Sequence, residues 1–185
     1  MTDKTFPPDL ERVVAFHGHY CPGVLTGYLA AKIAMARLDA SRAEDEELIA
    51  IVENDTCAVD AVQVLTGCTF GKGNLFFRDY GRHVYTFALR PSGKAVRIAR
   101  KPRKEEPPED ETREQVIARL LAAPADELFE VDEGAIDLPD TAHIRDSIVC
   151  SRCGTPAMST RVEEVDGRPV CRACREGNGN LLKGR

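Results

Sequence analysis

Tryptophan is absent from the 185 residues and aromatic side chains make up only 6% of them. A broad stacking surface for unpaired bases is therefore not expected. No apolar run approaches the length of a membrane span, and Met1-Thr-Asp-Lys-Thr-Phe-Pro-Pro8 lacks the apolar core of a secretory signal, so a cytoplasmic protein without a membrane anchor is expected. The net charge is -5, from 25 basic and 30 acidic side chains, and exerts no overall pull on nucleic acid or on an anionic membrane. Also missing is an even cysteine count: there are seven, which argues against a disulfide framework and for metal ligation or reactive thiols.

What is present is one core-sized stretch and a smaller tail. Between Lys101 and Glu114 lie three prolines and ten charged residues, with no aliphatic side chain to bury. The expected division is a core domain over 1–110, a helical connection over 111–147 and a small module over 148–185. Pro22–Leu38 carries apolar residues at helical spacing, with Pro22 suited to a first turn. Leu48–Glu53 reads as a buried strand, Ala58–Leu65 as a helix, and His83–Leu89 with Ala95–Arg100 as a hairpin across Arg90-Pro-Ser-Gly93. In the connection, Thr112 and Gln115 form a capping box for a helix to Ala123, and a second short helix is expected near Ala125. The fold class is α+β, a mixed helix and strand core with a four-cysteine module.

Cys150-x2-Cys153, seventeen intervening residues and Cys171-x2-Cys174 have the spacing of a structural zinc ribbon. Two residues between thiols let one turn aim both sulfurs at a metal, and four thiolates leave no open coordination position. Asp166-Gly167 marks a hairpin turn between the two pairs. Arg152, Arg161, Arg168, Arg172, Arg175, Lys183 and Arg185 make this tail locally basic, but without aromatic residues there nucleic-acid binding is not the expected role.

The remaining thiols sit in three polar loops. Phe16-His17-Gly18-His19-Tyr20-Cys21-Pro22-Gly23 places two imidazoles and a thiol at alternate positions, which in an extended segment share one face and suit zinc, nickel or iron. Asn54-Asp-Thr-Cys57-Ala-Val-Asp60 sets a thiol at a helix start with a carboxylate three residues on, where the helix terminus favours thiolate. Thr66-Gly-Cys68-Thr-Phe-Gly-Lys72-Gly-Asn-Leu75 is glycine-rich, but its spacing is not that of a phosphate loop.

The three loops together, with Gln63, resemble the FmdE family, named for the fifth-lettered component, FmdE, of molybdenum- or tungsten-dependent formylmethanofuran dehydrogenase, across about residues 8–100. The resemblance implies an α+β homodimer with a cleft formed by His17, His19, Cys21, Cys57, Asp60, Cys68 and Lys72. In that cleft His17, His19, Cys21 and Cys57 are candidate ligands for a second transition metal. Cys57, Asp60 and Lys72 are candidate catalytic groups, and Cys68 a candidate cofactor contact. The expected function is an accessory subunit of that oxidoreductase system, which reduces carbon dioxide onto methanofuran in methanogenesis, with a small molecule bound in the cleft. Two other readings stay open: a stand-alone enzyme with Cys57 as nucleophile and His17 or His19 as its base, and a zinc-ribbon module that binds nucleic acid or protein.

Overall fold

The computed structural model describes residues 6–103, 106 and 108–179. Met1–Thr5, Lys104, Glu105, Pro107 and the tail from Asn180, with its Lys183 and Arg185, lie outside the described residues. The chain forms two compact units, 1–142 and 143–185.

In the first unit the order is α1 (Pro8–His17), α2 (Pro22–Leu38), β1 (Leu48–Val52), α3 (Ala58–Thr66), β2 (Leu75–Phe77), β3 (Val84–Leu89), β4 (Lys94–Arg100), α4 (Arg113–Ala122), α5 (Ala125–Leu128) and β5 (Phe129–Ala135). The strands make one sheet in the order β2-β1-β3-β4-β5, parallel at β1/β2 and antiparallel elsewhere. The α+β class expected from the sequence is the one observed.

Strand alternation decides which residues meet the helices. Leu48, Ala50, Val52, Tyr85, Phe87, Val96, Ile98 and Phe129 point into the main core with α1, α2 and α3, whereas Ile49, Ala88 and Ala95 form a thinner layer on the opposite face under Ile136 and Leu138. Helix α2 is the centre of the helical layer, and Val24, Leu25, Ala30, Ala31 and Ala34 on it are fully buried. It approaches α3 so closely that a Cβ at Gly27 would lie 2.1 Å from the Ala58 carbonyl oxygen. Only glycine permits that crossing.

The boundary drawn at residue 110 does not match the structure. β5 pairs with β4 over seven residues, from Lys94 opposite Ala135 to Arg100 opposite Phe129. The capped helix α4 buries Ile117 and Leu120 in the same core. Composition marked the charged excursion as a border, but the chain returns through it to complete the sheet.

The second unit holds β6 (Ser147–Val149) paired with β7 (Pro156–Met158), then β8 (Val162–Val165) paired with β9 (Arg168–Cys171), and a final turn of helix, α6 (Arg172–Arg175). Asp166 and Gly167 both take positive φ in the β8–β9 turn, as an Asp-Gly hairpin requires. Cys150, Val170 and Cys171 are the buried apolar cluster of this unit, with four half-buried neighbours.

Candidate functional site

His17 is the last residue of α1, not part of an extended strand. Gly18, at φ 89°, ends the helix by donating its N–H to the Val14 carbonyl. Three residues later Cys21 is the N-cap of α2, where its Sγ accepts the Val24 N–H at 3.4 Å. The helix end and the helix start thus present His17 and Cys21 to each other, with Nε2 to Sγ at 4.0 Å. The alternate-position geometry fails because His17 is helical, and His19 does not join the set. It is exposed, with its ring tilted against that of His17 at 4.5 Å between centroids.

Cys57 reaches the same point from the other side. The turn after β1 is ordered by Asn54, whose Oδ1 accepts from the Thr56 N–H and hydroxyl while its Nδ2 donates to the Arg82 carbonyl at 2.7 Å. That turn delivers Cys57 to the start of α3. One ligand atom from each of His17, Cys21 and Cys57 lies within 4.8 Å of the others. Gly23 leaves the room: a Cβ there would sit 3.0 Å from that of Cys57.

Asp60, one turn along α3, orients the imidazole. Its Oδ2 lies 2.7 Å from His17 Nδ1, so the ring N–H donates to the carboxylate and Nε2 is left facing the thiols. A histidine held this way is the usual arrangement behind a metal. The Cys57 thiol does not gain the thiolate preference expected of a helix start. Burial pushes it above its ordinary value, and the neighbouring Cys21 sulfur adds to that.

The third loop does other work. Cys68 is fully buried, its Sγ donates to the Leu48 carbonyl at 3.3 Å, and burial pushes its thiol up to about 11. Lys72 Nζ donates to the carbonyls of Ala43, Glu44 and Asp45, each at 3.2 Å, and the Asn74 side chain donates to those of Asp45 and Leu48. Cys68 and Lys72 therefore fasten the loop that leads into β1. Cys57 precedes the nine-residue α3 and Cys68 follows it, so the length of that helix, about 13 Å, lies between the two residues. Linear proximity of the motifs hid this separation.

In the second unit one ligand atom from each of Cys150, Cys153, Cys171 and Cys174 lies within 4.8 Å of the rest. Gly154, at φ 71°, lets the first knuckle close with its N–H on the Cys150 carbonyl at 2.9 Å. The Cys171 N–H donates to Cys150 Sγ at 3.3 Å, and this bond, with another from Cys153, brings the Cys150 thiol down to about 6. The Cys174 thiol goes the other way, to about 12, through burial first and then the three sulfurs beside it. Four sulfurs this close could hold a metal ion, which would draw all of them into the thiolate form.

Both donor sets fit a transition metal by chemistry. Four sulfurs make a closed set, while one imidazole and two thiols leave a fourth position for another ligand. No helix among the described residues is long and apolar enough to cross a membrane.

Fold and donor sets define a metal-binding α+β protein with an appended four-cysteine module. A family model described as FmdE, molybdenum formylmethanofuran dehydrogenase operon, matches residues 16–130, and the chain belongs to the FmdE family. It is similar in structure to a tungsten formylmethanofuran dehydrogenase FmdE-like protein from Syntrophus aciditrophicus, with TM-score 0.73 and 25% identity over 93% of this chain and 92% of that one. It is also 34% identical, over 84% of its length, to a probable S-adenosyl-L-methionine-binding protein of Archaeoglobus fulgidus. The match takes in 50% of that relative, so the chain spans about half its length.

Proposed function

We propose that this chain is a cytoplasmic accessory subunit of a molybdenum- or tungsten-dependent formylmethanofuran dehydrogenase system, working in one-carbon metabolism as a homodimer. His17, Cys21 and Cys57 hold a transition metal, zinc, nickel or iron, and the fourth position takes a small ligand. Cys150, Cys153, Cys171 and Cys174 hold a structural zinc ion. The observation that carries the reading is the meeting of three donors from α1, α2 and the β1–α3 turn, with Asp60 on the far nitrogen of His17. Family membership supports the assignment to the dehydrogenase system.

A metal in the three-donor site would polarise an oxygen or sulfur group bound to it. The chain's own contribution is to fix the imidazole through Asp60, to bury Cys21, and to keep the thiols close through Gly23. A free nucleophilic role for Cys57 is less well supported, because burial and Cys21 favour its protonated form.

Elemental analysis of the purified full chain tests the metal assignment. Two metals per chain are expected, with one lost on Cys57→Ser and the other retained. A single metal unaffected by Cys57→Ser would overturn the three-donor site. Sedimentation velocity tests the homodimer, and affinity capture from native cells tests the association, which fails if no molybdenum or tungsten enzyme is recovered.

A further inference from the structure

A cavity of about 770 Å³ lies at the end of the sheet where β3 begins and β4 ends, with α4 and α5 along one wall. This size is within the range of small-molecule sites. Its polar lining is strongly one-sided. Arg82, Arg100, Lys101, Arg103 and Arg119 face it, against one lining carboxylate, Glu127.

Two more carboxylates reach these cations from outside the cavity. Glu53 binds Arg82 at 2.6 Å, and Glu111 binds Arg103 at 2.6 Å and Arg119 at 3.4 Å. Among the described residues the cations lining the cavity outnumber the carboxylates that line it or pair with them, in a chain whose net charge is -5. The Lys101 ammonium donates one N–H to the Asp126 carbonyl at 2.7 Å. Among the described residues the Arg100 guanidinium has no carboxylate partner. His83 also lines the cavity, and its ring is held toward the neutral form by burial and by Arg100. The positive field therefore belongs to the arginines and the lysine, while Val84 and Leu128 supply an apolar wall.

We propose that this cavity binds a small phosphate monoester, its dianion on Arg100 and Lys101 and its organic part against Val84 and Leu128. A guanidinium presents parallel N–H groups that match two oxygens of a phosphate, and a monoester carries about two negative charges at neutral pH. The charge of the ligand is thus opposite in sign to the cation-rich lining. None of these residues belongs to the His17, Cys21 and Cys57 set, so the inference does not depend on the metal reading.

Isothermal titration calorimetry of the full chain tests it, with adenosine monophosphate and glucose 6-phosphate as probes and adenosine and inorganic phosphate as controls. Saturable binding of at least one monoester is expected, with Arg100→Gln weakening it about tenfold or more and added salt weakening it further. Arg100 is exposed, so the variant should fold; Lys101→Gln gives the same readout if it does not. Metal content is measured alongside, and stays unchanged in both variants. The proposal is overturned if neither monoester saturates below about 10 mM, or if Arg100→Gln binds within about twofold of wild type. Inorganic phosphate or adenosine binding as tightly as the monoester also overturns it.

Discussion

Cys150, Cys153, Cys171 and Cys174 come from two tight turns that meet across a short hairpin, whereas His17, Cys21 and Cys57 come from three separate places in a large core. The first cluster is much of what holds its unit together: among the described residues its buried apolar members are Cys150, Cys171 and Val170, and two of these three are candidate metal ligands. The second cluster is set on a scaffold that stands without it: a sheet with α1, α2 and α3 packed on one face. A closed donor set in a small unit contributes stability, while an incomplete one on a rigid unit is free to serve binding or chemistry.

The largest effect that would break this comparison concerns the small unit. Chelation, or Cys171→Ser, should unfold 143–185 with a loss on the order of 10 kcal/mol while 1–142 keeps its protection. Hydrogen exchange read by mass spectrometry separates the two, and equal deprotection of both units would mean that the scaffolds are not independent. Next comes Gly27→Leu, whose new side chain meets the Ala58 carbonyl; it should cost the first unit about 3 kcal/mol or more and lower its thermal midpoint, with the four-cysteine unit unaffected.

A finer cut distinguishes ligand from orienter. Asp60→Asn should weaken metal binding at the His17 cluster by about 10- to 100-fold and leave the four-cysteine cluster unchanged, as read by competition with a chromophoric chelator. An unaltered affinity would reduce Asp60 to an ordinary surface acid. The smallest effect is expected from Cys68→Ala, a stability loss of about 1–2 kcal/mol from the vacated space and the missing bond to Leu48, with metal content intact. Loss of metal in that variant would return Cys68 to the site.

Legibility from sequence followed the range of the interactions. Local patterns were read well: the apolar faces of α2 and α3, the β3–β4 hairpin, the Thr112 and Gln115 box and the two cysteine knuckles each depend on neighbours in the chain. α1 went unread because it begins after Pro7 without a side-chain cap and buries only Leu10 and Val13. β2 is three residues in a glycine-rich loop, and its parallel pairing to β1 depends on α3 between them. β5 carries Glu130, Asp132 and Glu133, which looks like a solvated segment until Arg97 and Arg37 are seen opposite two of them. The same limit applied to the site. Its residues were all named from the motifs, yet which thiol faces the histidine and which faces a carbonyl is set by the two ends of α3.

The seven-residue ladder between β4 and β5 bears on how the chain could be cut and rejoined. Between those strands lie the proline-rich charged segment and two helices, so a nick near residue 106 would divide the first unit into pieces that each keep one side of the ladder. Hydrogen bonds and the burial of Phe129, Ile117 and Leu120 would still recognise the partner piece. A chain nicked there is expected to stay assembled through the β4–β5 ladder, and gel filtration of the nicked protein under native conditions checks this.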